Sequence, residues 1–428
     1  MTTKINNEHK KLNVPNKQEQ NQTCLDSAER EGLRPKGNVP NLRFPEFQGE
    51  WEELGLSELL DFKNGLNPKP DKFGKGIKFI SVMDILNNAV ITYDCIKASV
   101  DVTEKELSDF SVEKGDILFQ RSSETLEDVG RANVYMDDKT AVFGGFVIRG
   151  KKKGEYDPQY FNYLLRSPFA RKRIIPMGAG AQHFNIGQEG LSKVKLHFAN
   201  IEEQKKIGKM LSLLDERIAT QNKIIDKLQS LIKGISNKLL NSKEGMLVRL
   251  GAILKERSEK TKKNNQYAVL SSTVNGLFSQ RDYFSKDIAS ENNVGYKIIR
   301  LHDVVLSPQN LWMGNINYND KFDIGIVSPS YKVFLISDNY DKRYVAAMLK
   351  THRALYDYQL ISEQGASVVR RNLNLESFGQ LVFRIPLIDK QREIGKTISL
   401  LKSRLETESM LRAAYQSQKQ YLLRQMFI

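Results

Sequence analysis

The chain of 428 residues contains little cysteine, little histidine and no long apolar run. Its two cysteines, Cys24 and Cys95, are too few for a disulfide framework or a cysteine-based metal site. Its five histidines include no close pair at metal-ligand spacing, so we expect no metal site. No apolar stretch reaches the ~20 residues that span a bilayer, and the polar start lacks the apolar segment of a secretory signal. We therefore expect a cytoplasmic protein without membrane partners.

The motifs of a self-sufficient DNA-modifying enzyme are also absent. A base methyltransferase needs a glycine-rich loop for its adenosyl cofactor and an Asn-Pro-Pro-aromatic motif, whereas "NPKP" at Asn67 lacks both the second proline in place and the aromatic residue. A motor needs G-x-x-x-x-G-K-[ST], and "GLRPKGN" at Gly32 ends in asparagine. We therefore expect a chain that is no enzyme and holds no cofactor. A nuclease or methyltransferase with divergent motifs is the rival interpretation.

Positive charge is what the chain has in excess. Lysine and arginine number 65 against 51 acidic residues, which gives a formal net charge of +14. Such a balance favours a polyanionic partner, most simply nucleic acid. At roughly 100 to 200 residues per domain, the length predicts two or three domains. Residues 1–37 are polar, rich in Asn, Gln and Lys, and lack periodicity, so we predict a disordered tail there.

A long internal repeat organises the rest. The stretch "IEEQKKIGKMLSLLDERI", from Ile201, returns as "IDKQREIGKTISLLKSRL" from Ile388, an offset of 187 residues. The same offset relates Asn185 to Asn372, so the repeat includes the strand-rich parts between the helical stretches. The predicted segments are a tail at 1–37, a first domain at 38–199, a helix at 200–241, a second domain at 242–386 and a second helix at 387–428.

The first helical stretch has a coiled-coil pattern. Ten positions from Ile207 to Leu239 alternate spacings of four and three, and nine of them are aliphatic, which is typical of an a/d seam. Asn200 followed by Glu203 resembles a capping box at its start. The second stretch is a poorer heptad, so we expect its middle to shift register or face a protein partner. Its polar breaks and their counterparts in the first stretch are Glu408, Arg412 and Lys419 against Gln221, Ile225 and Ile232.

Two matched amphipathic helices of this length would each expose an apolar stripe unless they packed together. We therefore predict an α+β fold in which two similar domains are joined by two long antiparallel helices, a coiled-coil rod with pseudo-twofold symmetry. The alternative is that each helix merely covers its own domain.

Several segments of the sequence resemble those of a known protein family. The tandem α+β domains with matched helices, the opening "VPNLRFPEFQGEWEE", the segment "GDILFQRSS" and the loop "GAGAQHFNI" resemble the specificity subunit of type I restriction–modification systems over residues 38–428. The resemblance implies that each domain is a target-recognition domain that reads one half of a bipartite site in double-stranded DNA. It also implies two modification (methyltransferase) subunits, which use S-adenosylmethionine, and restriction (motor and nuclease) subunits, which use ATP and Mg²⁺. The helices would set the spacing and dock partners through Gln204, Lys205, Lys206, Arg217, Gln391, Arg392 and Arg404.

Candidate DNA readers lie in loops that follow strand-like runs. Base edges are read by Arg, Lys, Asn, Gln, Ser and Thr, and glycines allow close backbone approach. The first domain offers Gln120, Arg121, Ser122, Ser123, Arg131, Gln182, His183 and Asn185. The second offers Gln309, Asn310, Trp312, Ser367, Arg370, Arg371 and Asn372. Any one of them could be an ordinary solvated loop residue, and "GKKKG" at 150–154 could be a phosphate clamp or a solvated turn.

The loop residues differ between the halves although the framework repeats. Arg121 aligns with Pro308, and His183 aligns with Arg370. Equal scaffolds with unequal readers predict two different half-sites and hence an asymmetric, interrupted target. A structural coiled-coil scaffold that binds only protein is the remaining alternative, and it predicts no salt-sensitive affinity for DNA.

Overall fold

The computed structural model of the chain describes residues 37–180, 182–240, 244–283, 292–364 and 371–428. The predicted tail, apart from its last residue, lies outside the described residues. The α-helices are Leu56–Leu59, Val82–Asn87, Glu104–Phe110, Pro158–Arg166, Pro168–Ile174, Gln188–Ser192, Ile201–Leu240, Leu250–Ile253, Gln280–Tyr283, Lys342–Met348, His352–Leu360, Leu375–Gln380 and Ile388–Gln425. None of the helices in these ranges combines the length and the apolar character that crossing a membrane requires.

The strands are short, and they lie in two parts of the chain, residues 52–198 and 246–385. Those of the first part are Glu52–Gly55, Leu60–Asn64, Phe73–Ile80, Ser99–Val100, Ser111–Val112, Ile117–Gln120, Ser122–Ser123, Ala132–Val134, Ala141–Phe143, Val147–Lys152, Phe184–Asn185 and Lys195–Phe198. Those of the second part are Met246–Arg249, Leu254–Arg257, Leu270–Thr273, Gly276–Ser279, Lys297–Arg300, Val304–Leu306, Ile316–Tyr318, Ile324–Val327, Lys332–Ile336, Ser362–Gln364, Arg371–Leu373 and Val382–Ile385.

The chain forms two compact units. One comprises the residues up to Ala219 together with Ala413–Ile428, and the other is Thr220–Arg412. These bounds differ from the predicted segments, because each unit contains a globular part and a segment of both long helices.

The first unit is built on a four-stranded antiparallel sheet. Its strand order is Leu60–Asn64, Val147–Lys152, Ile117–Gln120 and Ala132–Val134. Helix Pro158–Arg166 is buried in the same hydrophobic cluster as this sheet. Proline suits the first position of a helix, and the Asp157 side chain accepts a hydrogen bond from the Tyr160 N–H at 2.8 Å, which caps the helix start.

Aromatic side chains join the beginning and the end of the chain in this unit. The Trp51 ring packs edge-on against Tyr160 and Phe427, with centroid distances of 6.1 and 6.4 Å. Phe427 is buried, and the Leu42 N–H donates to the Gln425 carbonyl at 2.8 Å. The last residues of the chain therefore belong to the core of the first domain. Fully burying one such side chain contributes about 1.5–3 kcal/mol to stability.

The second unit repeats this architecture. Its four-stranded antiparallel sheet has the matching order Leu254–Arg257, Lys332–Ile336, Val304–Leu306 and Ile316–Tyr318. A two-stranded ladder between Met246–Arg249 and Val382–Ile385 corresponds to the ladder of Glu52–Gly55 with Lys195–Phe198 in the first unit. The internal repeat therefore extends through the globular parts, and the predicted α+β fold with two similar domains is confirmed.

The two long helices run antiparallel within each unit. In the first unit the Lys419 ammonium bonds to Asp215 at 2.6 Å, while Ile207 shares a core with Phe427. In the second unit Gln221 donates to the Glu408 carbonyl at 3.1 Å, while Leu239 packs with the cluster that contains Ile394. Within each unit, residue numbers therefore rise along one helix in the direction in which they fall along the other.

The polar breaks in the second helix face the first helix. Glu408 is buried and accepts from the Gln221 amide, and Arg412 donates to the Asn222 side-chain oxygen at 3.4 Å. Lys419 bonds to Asp215 and lies over the Tyr163 ring, 5.3 Å from its centroid. The expected shift of register or protein partner at these positions is wrong, because polar groups of the same chain already face them.

The start of the first long helix uses only half of a capping box. The Asn200 side chain accepts from the Glu203 N–H at 2.9 Å, as the sequence predicts. The Glu203 carboxylate instead binds the Arg43 guanidinium through two bonds of 2.8 Å. The helix start is thereby tied to the opening segment of the first domain.

The repeated glutamines anchor each long helix to its own domain. Gln204 accepts from the Asp157 N–H at 3.0 Å and donates to the Ala199 carbonyl at 2.8 Å. Gln391 makes the same pair of bonds, to the Asp341 N–H at 3.0 Å and the Pro386 carbonyl at 2.8 Å. Both side chains are buried. Their polar atoms are thus used inside the chain, and their assignment as partner-binding residues stays a prediction.

The repeated glycines allow the same close approach, and they give a testable expectation. A Cβ on Gly208 would lie 2.7 Å from the Asp157 carboxylate and 2.9 Å from the Tyr160 nitrogen. Gly208→Ala should lower the free energy of unfolding by about 1–3 kcal/mol, because the helix or its partner must move. Urea denaturation followed by circular dichroism measures the change.

Gly234→Ala is the matched control. It lies in the same helix, and a Cβ there meets nothing within 4 Å. Replacing a helical glycine by alanine in open space should stabilise the protein by about 1 kcal/mol. Equal effects of the two substitutions would show that Gly208 is not a packing position.

Candidate nucleic-acid interface

The two predicted reading loops of the first domain meet at one end of its central sheet. Strand Ser122–Ser123, which follows Ile117–Gln120, pairs antiparallel with Phe184–Asn185. The Ser122 hydroxyl donates to the Asn185 side-chain oxygen, and the Ile186 N–H donates to the Arg121 carbonyl at 2.9 Å. Segments about 60 residues apart in sequence thus form one surface.

A half-buried arginine holds the backbone next to this surface. Arg171 donates to the carbonyls of Gly130, Glu127 and Val129 at 2.9, 2.9 and 2.6 Å. Burial lowers the pKa of Arg171 to about 10, with a smaller contribution from the nearby Arg131 charge, so the guanidinium remains charged at neutral pH. Three bonds from one side chain fix the loop that precedes Arg131.

The candidates of the first domain differ in exposure. Gln182, His183, Asn185 and Arg131 are exposed, and Arg131 forms an ion pair with Asp128 at 2.6 Å. Arg121, Ser122 and Ser123 are half-buried. Gln120 is buried and its amide donates to the Ser122 carbonyl at 2.9 Å. Gln120 therefore shapes the loop from inside, and its role as a DNA-reading residue stays a prediction.

The two described loops of the second domain also converge. The Arg371 N–H donates to the Gln309 carbonyl at 3.2 Å, and the Arg371 guanidinium lies over the Trp312 ring, 4.7 Å from its centroid. A cation over an indole face is attracted by the ring, so Trp312 holds the arginine in place. Gln309 and Asn372 are exposed, and Asn310 is half-buried. Ser367 and Arg370 lie outside the described residues.

A buried amide network supports the second loop. Asn315 donates to the Ser272 carbonyl at 3.0 Å, and Asn317 donates to the Ser272 hydroxyl at 2.7 Å. Lys350 donates to the Asn317 side-chain oxygen at 2.7 Å. Burial, with a smaller effect of Lys402, lowers the pKa of Lys350 to about 8. Polar side chains that hydrogen-bond within the domain therefore lie next to a reading loop in both units, Arg171 in the first and Asn315 in the second.

Phe146 belongs to the first surface, and sequence reasoning missed it. It lies between strands Ala141–Phe143 and Val147–Lys152, and its carbonyl accepts from the Arg121 N–H at 2.9 Å. Its side chain is 68% exposed. The available signal was the pair of glycines in "FGGF", which marks a tight turn before a strand.

The lysine run at 150–154 lies elsewhere on the domain. It ends strand Val147–Lys152, at the opposite end of the sheet from Arg121. Lys151 pairs with Glu113 at 3.5 Å and Lys153 pairs with Asp61 at 3.0 Å. The solvated turn is therefore the better interpretation of this run.

The remaining partner candidates are exposed on the long helices. Lys205 pairs with Glu202, Lys206 with Glu46, Arg392 with Asp389, and Arg404 with Glu408. Arg217 is exposed at the position that matches Arg404. These cations lie on the surface, unlike Gln204 and Gln391.

Comparisons with known proteins agree with this arrangement. Residues 48–230 match the family model of a type I restriction modification DNA specificity domain. A putative type I restriction enzyme MjaX specificity subunit from Methanocaldococcus jannaschii is 28% identical over 207 residues, which are 47% of this chain and 48% of that protein. The MjaVIII specificity subunit from the same organism is 23% identical over 204 residues, which are 46% of this chain and 47% of that protein. The chain thus matches about half the length of these curated relatives.

A solved structure shares the fold over nearly the whole chain. The crystal structure of the type I restriction–modification S subunit from M. genitalium aligns with a TM-score of 0.58 at 16% identity, covering 91% of this chain and 99% of that one. The resemblance inferred from the sequence is therefore confirmed.

Proposed function

Because the chain belongs to the type I restriction–modification specificity family, we propose that it is the non-catalytic, DNA-reading subunit of such a complex. Each domain would read one half of an asymmetric, bipartite site in double-stranded DNA. One observation carries this proposal. In both units, polar loops converge beside a four-stranded sheet of the same strand order, and the residues that they present differ.

The polar groups of the two surfaces suit base recognition in the major groove. An arginine can bind guanine with two hydrogen bonds, and asparagine or glutamine can bind adenine in the same way. The first surface presents Arg121, Gln182 and Asn185, and the second presents Arg371 and Asn372. The net charge of +14 would add affinity for phosphates that does not depend on sequence.

The long helices would dock two copies of one modification subunit. Three exposed residues of the first helix, Lys209, Leu213 and Arg217, are identical to exposed residues at the matching positions of the second. Their spacing of four residues places them on one helix face. Leu213 and Leu400 are 49% and 61% exposed, although leucine is favoured inside proteins. Two equal surfaces fit two copies of the same partner.

The remaining chemistry would belong to partner subunits in the cytoplasm. The modification subunits would bring S-adenosylmethionine, and the restriction subunits would bring ATP and Mg²⁺. The residues of this chain would supply the position of the complex on DNA.

Exchanging one reader per domain tests the proposal. With a modification subunit present, Arg371→Ala should weaken or relax recognition of one half-site only, and Arg121→Ala should affect only the other. Each loss should be about 1–3 kcal/mol, the contribution of one good base contact. Sequencing-based maps of adenine methylation in cells that carry each variant measure both half-sites.

Lys153→Ala, at the far end of the first sheet, is the matched control and should leave the map unchanged. The lone chain, incubated with DNA, S-adenosylmethionine and Mg²⁺, should show no methylation and no cleavage. If both half-sites change together in either arginine variant, the two-reader proposal fails. Turnover of the cofactor by the lone chain would contradict the non-catalytic role. A protein scaffold would show no salt-dependent affinity for DNA.

A further inference from the structure

Phe146 is an exposed aromatic residue on the proposed reading surface of the first domain. Its side chain is 68% exposed, although phenylalanine is usually buried in folded proteins. It lies in the turn between Phe143 and Val147, next to the edge of the central sheet where Gln120 ends its strand. The exposed ring is thus on the side of the sheet where the reading loops meet.

The turn that carries Phe146 is tightly held. The Gly144 N–H donates to the Ile80 carbonyl at 3.0 Å, and the Val147 N–H donates back to the Gly144 carbonyl at 2.8 Å. A Cβ on Gly144 would lie 2.6 Å from the Phe79 ring, and one on Gly145 would overlap the Asn67 amide. These contacts hold the backbone of the turn, and therefore the Cα atom of Phe146, in a fixed position.

Arg121 is bonded to this same turn. Its N–H donates to the Phe146 carbonyl at 2.9 Å, and its guanidinium donates to the Gly145 carbonyl at 3.3 Å. The backbone positions of Arg121 and Phe146 are therefore fixed relative to each other. Contact with DNA by one residue would bring the other to a neighbouring base.

The second domain has no aromatic residue at the corresponding position. Val147 pairs with Gln120 in the first sheet, while Lys332 pairs with Leu306 in the second. Leu306 corresponds to Phe119 in the repeat, so Ser330 takes the place of Phe146. Phe146 is thus a position at which the two domains differ, as the proposed DNA-reading residues are.

We propose that Phe146 reads a thymine in the first half-site by packing its ring against the C5-methyl group in the major groove. Phenylalanine is one of the side chains that make this apolar contact, and arginine beside it contacts a neighbouring base. The inference rests on the proposed function, and it assigns part of the DNA sequence preference of the first domain to one side chain.

The test uses the complex of the chain with its modification subunit and the duplex that the wild-type complex methylates. Each thymine of the first half-site is replaced in turn by deoxyuridine, which removes only the methyl group. One replacement should weaken wild-type binding about fourfold, the equivalent of one buried methyl group. Phe146→Ala should bind the unmodified duplex at least fourfold more weakly and should be insensitive to that same replacement.

Met246→Ala is the matched control, because Met246 is an equally exposed apolar residue, 71% exposed, in the other domain. It should leave affinity and deoxyuridine sensitivity unchanged. Thermal unfolding of both variants should match the wild type, since neither side chain is buried.

Several outcomes would overturn the inference while leaving the proposed function intact. They are an unchanged affinity of Phe146→Ala, a persistent sensitivity of that variant to deoxyuridine, an equal loss on random DNA, or a first half-site without thymine. Weaker binding with a reduced DNA bend and no methyl dependence would indicate a wedge between base pairs and would also overturn it. A wild-type complex without sequence preference would instead refute the proposed function.

Discussion

Arg43→Ala should lower the free energy of unfolding by about 3–5 kcal/mol, because it leaves a buried carboxylate without its counter-charge. The Glu203 side chain is 0% exposed, and Arg43, at 12%, bonds to both of its oxygens at 2.8 Å. These hydrogen bonds raise the pKa of Arg43, which keeps it charged. Urea denaturation followed by circular dichroism measures the change.

Lys206→Ala provides the comparison for an exposed ion pair. Lys206 pairs with Glu46 near the same helix start, but both side chains are about half exposed, so its loss should cost at most about 1 kcal/mol. Replacing Arg43 and Glu203 together by methionine should recover most of the lost stability, because no unpaired charge remains. A loss below 1 kcal/mol in Arg43→Ala would mean that the Glu203 carboxylate finds water or another partner.

Lengthening both long helices by seven residues should change the spacing between half-sites but not their sequences. Seven residues inserted after Gln221, opposed by seven inserted after Thr407, preserve the heptad seam and lengthen the helix pair by about 10.5 Å. If the helices set the spacing, this permits at most about three extra base pairs at 3.4 Å each. Methylation maps of cells carrying the variant and its modification subunit measure both spacing and half-sites.

Five-residue insertions at the same two points are the control. Five residues rotate the seam by about 140° from its partner, so this variant should be destabilised and inactive. An active seven-residue variant that still methylates only the original spacing would show that the helices hold the fold without setting the distance. Insertion of seven residues in one helix alone should be tolerated less well, because contacts on one side of the insertion, such as Leu239 with the cluster that contains Ile394, would lose their register.

The heptads could be read from the sequence because their signal is local. A stripe from Ile207 to Leu239 requires only that neighbouring turns repeat. The intrachain bonds of Gln204 and Gln391 could not be predicted, because a repeated glutamine looks the same whether it faces a partner or the backbone of its own domain. The deciding contacts, with Asp157 and Asp341, depend on chain segments about 50 residues away.

In the candidate site, too, some features have a local signal in the sequence and others depend on contacts between distant segments. Polar residues after strands indicated Arg121 and Asn185, but the ladder that joins their loops is a long-range contact that no short pattern encodes. Gln120, one residue before Arg121, is buried because it ends the strand Ile117–Gln120, which is covered on both faces. The exposure of Phe146 is equally non-local, since an isolated phenylalanine is expected in a core.

The contact between Gln221 and Glu408 joins residues that are equivalent in the two repeats, since they are separated by the repeat offset of 187. At such a point, two identical halves would set a residue against its own copy. Two copies of the first half would oppose two glutamines, whose amides can bond to each other. Two copies of the second half would oppose two buried carboxylates, which repel unless one is protonated. The divergence at this single position therefore favours association of unlike halves over self-association of the second.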